Sequence, residues 1–79
     1  ALSITPNHFK AIYTRGKTLY AMEKYEEASS DLDRATSLKP ENISAHVLWG
    51  NILSDMGHED EAALQWAIAE RLKEKLKNK

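Results

Sequence analysis

Apolar residues recur along this chain at helical spacing and nowhere in strand-like alternation. Phe9, Ile12, Leu19 and Met22 form one set, and Tyr25, Ala28, Leu32, Ala35 and Leu38 form the next. Residues three, four or seven apart share one face of a helix, so each set marks a stripe that must be covered. The break between two helices falls at Glu23-Lys24, and again at Gly57-His58, where glycine can take the left-handed conformation that ends a helix. Pro6 and Pro40 stop the helices before them, because proline disfavours the helical region for its predecessor. Asn42 and Ser44 offer side-chain oxygens to cap the helix after Pro40. The pattern predicts an all-α fold with helices over 7–22, 25–38, 42–56 and 59–77.

The stripes repeat. Gly16 and Gly50 lie 34 residues apart, and the same offset links Pro6 to Pro40, Ala11 to Ala45, Leu19 to Leu53, Met22 to Met56, Ala28 to Ala62, Ala35 to Ala69 and Leu38 to Leu72. A fixed period of this length marks stacked units, each one supersecondary element. Gly16 with Ala28, and Gly50 with Ala62, sit where two antiparallel helices cross. With at most a methyl there, the backbones can approach to the short end of the roughly 8–10 Å interaxial range.

The run Tyr25-Glu26-Glu27-Ala28, followed by Ala35, Leu38, Pro40 and Asn42, resembles the second helix and exit of a tetratricopeptide repeat (TPR). Gly16 and Leu19 resemble its first-helix signature. The aromatic usual one turn before that glycine is Ile12 here and His46 in the second unit. The resemblance covers the whole chain: residues 1–8 as the tail of a preceding unit, 9–42 as one unit, and 43–79 as a second running into an extended capping helix. It implies a right-handed α-solenoid fragment of antiparallel helix-turn-helix repeats, cut from a longer array. It also implies a protein-protein interaction module of the adaptor, scaffold or co-chaperone kind.

In that family the first helix of each unit lines a concave groove. The resemblance therefore places Lys10, Tyr13, Lys17 and Tyr20, then Val47, Asn51 and Ser54, on a partner-binding face. The spacing of the first four supports this independently, since they step by three or four along one stripe opposite the apolar one. Two lysines interleaved with two tyrosines suit an acidic or carboxylate-bearing peptide; the rival is a solvated face with incidental tyrosines. The stretch Phe9 to Gly16 is similar to a motif of co-chaperones that clamp C-terminal carboxylates. Lys10 matches the clamp lysine and Arg15 a neighbouring structural arginine. Thr14 stands where the clamp arginine would be, which removes the bidentate partner.

The second unit lacks an exit proline, because Glu74 occupies the position of Pro40, so its helix is expected to run on. Residues 70–79 hold five basic side chains against two acids, a local +3. Cations suit a helix C-terminus, and a lysine-rich last helix suits a solubilising cap. A basic tether to membrane or nucleic acid is the weaker reading, since aromatics beyond Trp66 are missing. Trp49 reads as core, and Trp66 as packing beneath the next layer. If Trp66, Ile68, Leu72 and Leu76 are left uncovered, they form a self-association face and make a homo-dimer the alternative function. Ile4 and Phe9 are the corresponding candidates at the other end.

Composition narrows the rest. At 79 residues with 42% hydrophobic and 29% charged side chains, the chain is one small folded domain with a thin stability margin. A net charge of −1 supplies no global field for nucleic acid or anionic membrane. Absence of cysteine removes disulfides and thiolate metal sites and fits a reducing, cytoplasmic setting. The start carries no basic lead or apolar stretch of a signal peptide. There is no glycine-rich phosphate loop, and His8, His46 and His58 make no ligand pair. His58-Glu59-Asp60-Glu61 reads as a helix start with acids in its first turn, and the serines lack a histidine partner. No enzyme activity, cofactor, metal or small-molecule substrate is expected.

Overall fold

The computed structural model describes residues 5–77, with side chains from His8 onward. Four helices follow in order: α1 (Thr5–Ala21), α2 (Tyr25–Leu38), α3 (Ile43–Asp55) and α4 (Glu59–Lys77). The second and fourth run as the apolar pattern predicts. The first begins two residues early, with Pro6 inside its opening turn. Proline is tolerated there because the first N–H groups of a helix have no internal acceptor. Thr5–His8 therefore form the first turn of α1, while Ala1–Ile4, expected with them as the end of a preceding unit, lie outside the described residues.

Local chemistry sets the other ends. Asn42 caps α3, its Oδ1 accepting from the Ala45 amide at 2.9 Å, whereas Ser44 falls inside the helix. Each unit then closes its first helix the same way. Lys24 N donates to Leu19 O at 2.9 Å and Glu23 N to Tyr20 O at 2.9 Å; His58 N donates to Leu53 O at 2.9 Å and Gly57 N to Ser54 O at 3.0 Å. These paired bonds satisfy the last carbonyls of the helix and require one left-handed residue. It is Gly57 at φ 87° in the second unit and Glu23 at φ 65° in the first. A Cβ in that conformation costs about 1 kcal/mol, so Gly57→Ala should lower stability by about that amount. Glu23→Gly should raise it by a few tenths to about 1 kcal/mol, part of the relief being offset by the freer unfolded chain. Urea unfolding of both variants checks the pair.

Each helix packs on the next, and α1 also touches α3; among the described residues α4 packs against α3 alone. Two antiparallel pairs are thus stacked side by side, α1 beside α3. The core at their junction is Ala28, Leu32, Ala35, Ala45 and Ile52, with Ile12, Leu19, Leu48 and Trp49 around it. At both crossings a glycine lets the partner in. A Cβ at Gly16 would fall on Leu32 Cδ2, and one at Gly50 on the Trp66 indole. The 34-residue offset carries Gly16 to Gly50 and Leu32 to Trp66, so one crossing is built twice.

Polar groups stitch the same junction. Trp49 Nε1–H donates to Ser29 Oγ at 3.0 Å, tying α3 to α2, which gives this half-buried residue the packing role expected of it. His46, buried in place of the usual aromatic, sets Nε2 2.8 Å from the Pro40 carbonyl and Nδ1 2.7 Å from the Gln65 side-chain amide. A carbonyl only accepts, so Nε2 carries a proton. With no proline at residue 74, α4 extends to 19 residues against 14 in α2.

Candidate ligand groove

Because α1 and α3 lie side by side as the first helices of their units, stripes at the same register open onto one face. Tyr13 and Lys17 from α1 and Ile43, Ser44, Val47, Leu48 and Asn51 from α3 line a shallow groove of about 290 Å³. Residues four apart stand one above another on a helix, which is why 13 and 17, or 43, 47 and 51, share a wall. Tyr13 is held by stacking on Phe9, with ring centroids 5.8 Å apart and planes 14° apart. Val47 is 38% exposed, so an apolar ligand group has a surface to cover. Lys17 is the groove's cation, and Asn51 and Ser44 add neutral donors.

Four of the seven expected residues therefore converge: Tyr13, Lys17, Val47 and Asn51. Lys10 does not join them; it lines a separate depression with Ala11, Thr14 and Arg15. Tyr20 closes the far end instead. Its hydroxyl donates to Asp55 Oδ2 at 2.6 Å, and its ring lies 5.7 Å from that of Tyr25. Ser54, half-buried, immediately precedes Asp55. This bond joins the last turns of α1 and α3 and fixes the spacing of the two groove walls there.

The bond has a titration signature. Donation to Asp55, with smaller contributions from burial and from the charges of Asp55 and Tyr25, raises the Tyr20 phenol from 10.0 to about 12. The folded chain thus keeps a proton that the unfolded chain loses, and stability present below about pH 10 is lost as pH rises through about 12. Burial, and then the charges of Glu23 and Asp55, raise the Tyr25 phenol as well. Ultraviolet titration should therefore show two delayed phenolate steps, and Tyr20→Phe should remove the one near pH 12 and reduce the alkaline loss of stability.

Arg15 behaves as the structural arginine expected of it. Its Nε and Nη2 donate to Asp31 Oδ2 and Oδ1 at 2.8 and 2.9 Å. Asp31 is 4% exposed, while the guanidinium side chain remains 67% exposed. That hydrogen bond, and then the charge of Asp31, raise the arginine's pKa further. The groove residues missed in the sequence are Ile43, Ser44 and Leu48, and Asp55 was missed as the acceptor for Tyr20. Asp55 was readable, since it lies one turn beyond Asn51 on the same stripe.

The residues expected to form one self-association stripe divide. Ala62 and Ala69 are the buried line of α4. At 100° per residue Trp66 lies on one flank of it, while Ile68 and Leu72 lie on the other. Trp66 covers Gly50. Leu72 and Leu76 instead flank a depression of about 280 Å³ with Glu41 and Lys75, against the α2–α3 connection. Among the described residues no group of His, Asp or Glu is placed to hold a metal ion, and no described helix is long and apolar enough to cross a membrane.

Stacked helix-turn-helix units with a groove along their first helices define a helical-repeat interaction module. The family described as "TPR repeat" matches residues 16–57, more than half of the chain, and the chain belongs to it. The chain is also similar to a solved structure, "Crystal structure of MamA", at a TM-score of 0.88 and 23% identity. That similarity covers 99% of this chain and 46% of the other, so the fold, a right-handed α-solenoid, is shared over less than half of that protein's length. No curated protein matches in sequence. Repeats of this family generally mediate protein-protein interaction.

Proposed function

We propose that this chain binds an extended acidic segment of another protein in the groove between α1 and α3, in an adaptor, scaffold or co-chaperone setting. The observation that carries the reading is the convergence of Tyr13, Lys17, Val47 and Asn51 on one groove. The Lys17 ammonium and the Asn51 amide supply donors for a carboxylate, one charged and one neutral. Tyr13 and Val47 supply apolar contact for a neighbouring side chain. A hydrogen bond to a charged group contributes about 1.5–3 kcal/mol, or roughly ten- to a hundredfold in affinity.

Lys17→Ala combined with Asn51→Ala should therefore weaken an acidic peptide by at least tenfold while leaving the melting temperature nearly unchanged. Raising salt should weaken the wild-type complex as well, because the groove is open to solvent. Comparing a free with an amidated peptide C-terminus separates recognition of the terminal carboxylate from recognition of acidic side chains. Binding that is indifferent to the double substitution would contradict the assignment.

A further inference from the structure

The ligand groove carries its chemistry in a fixed order along its length. The 34-residue offset pairs Tyr13 with Val47 and Lys17 with Asn51, so each level takes one side chain from α1 and one from α3. The first level is largely apolar, and the second holds a cation and an amide. One turn further, α3 ends at Asp55, on the stripe of Val47 and Asn51. Tyr20 donates to Asp55 Oδ2 at 2.6 Å, and the aspartate remains exposed. Among the described residues neither Lys17 nor Asp55 forms an ion pair. The Tyr25 ring lies 5.7 Å from that of Tyr20, and, after burial, the charges of Glu23 and Asp55 raise its phenol. This end of the groove is negative and aromatic, one turn from a cation.

Levels four residues apart on a helix are separated by about 6 Å. An extended chain covers about 6.5 Å in two residues, and its alternate side chains point to one side. The three levels therefore match every second position of an extended segment lying along the groove.

We propose that the partner segment presents an apolar residue, an acid and a base at alternate positions, the base seated on Asp55 beside the Tyr20 and Tyr25 rings. This rests on the groove reading and adds a second charge to what the groove selects. The apolar side chain covers Tyr13 and Val47, and the carboxylate meets Lys17 and Asn51. A lysine or arginine at the third level meets a carboxylate with its charge and aromatic rings with its stem. The opposite charge is refused there, because an acid would face Asp55 and Glu23. A uniformly acidic run thus binds more weakly than one in which the charge changes sign.

Fluorescence polarisation of labelled peptides against the whole chain tests this. The probe has leucine, glutamate and lysine at alternate positions, with serine between and around them. The peptide and its reversed sequence are both titrated, and the tighter of the two sets the chain direction. Replacing its lysine by norleucine should weaken binding about two- to fivefold, the range for an exposed ion pair, and replacing it by glutamate should weaken binding further. Asp55→Asn keeps an acceptor for Tyr20 and should erase the difference between lysine and norleucine. Moving the lysine by one position, onto the other side of the extended chain, should erase it too. Glutamate-dependent binding indifferent to the lysine, or a lysine preference that survives Asp55→Asn, would overturn the proposal and leave the groove reading standing. No binding, or binding that needs no glutamate, would overturn both.

Discussion

Leu32→Ala should lower the unfolding free energy by about 2–5 kcal/mol, the range for removing a fully buried leucine with partial collapse of its site. Leu32 is 0% exposed and sits where three helices meet. Its Cδ2 occupies the space left by Gly16 on α1, and it packs with Ala45 and Ile52 of α3 in one cluster. Small neighbours cannot swing in to fill the gap, since Gly16, Ala28, Ala35 and Ala45 have little or no side chain to move. The loss should therefore fall in the upper half of the range. For a domain of this size it removes a large part of the whole margin. Urea denaturation should show a lower midpoint, and a change below about 1 kcal/mol would mean that Leu32 is not the keystone of the junction.

Gly16→Leu should cost about 1–3 kcal/mol by the opposite route, overpacking rather than a void. A Cβ at residue 16 already collides with Leu32 Cδ2 and stands 3.3 Å from Asp31 Cβ, so α1 and α2 must move apart. Separation also strains the Arg15 bonds to Asp31, which are 2.8 and 2.9 Å long in the native packing. The equivalent Gly50→Leu meets the Trp66 ring, which is 38% exposed and can swing outward. The same substitution should thus be milder at residue 50 than at 16. Equal losses at the two glycines would contradict the packing described.

Much of this fold was legible in the sequence because its determinants are local and repeated. Helical spacing gave the four helices, and the 34-residue offset between glycines gave their stacking. The left-handed residue that closes each first helix was marked by Gly57, although in the first unit Glu23 does the same work with a less suitable side chain. Pro6 misled because its two effects differ by position: it disfavours helix before it, yet it fits the opening turn. The groove was less legible. A stripe on one helix says which residues share a face but not what faces them across the gap. Lys10 shares a stripe with Lys17 and still opens onto another depression. Tyr20 lies on the stripe too, and its bond to Asp55 joins residues 35 positions apart. Trp66 and Ile68 were grouped by hydrophobicity alone, although a spacing of two on a helix already sets them on opposite flanks.

The central claim is that the groove between α1 and α3 is the partner-binding face, and amide chemical-shift mapping with an acidic peptide tests it most directly. The largest perturbations should fall on Tyr13, Lys17, Val47 and Asn51, with those on α2 and α4 near baseline and all of them shrinking as salt is raised. Perturbations confined to α4 would contradict it.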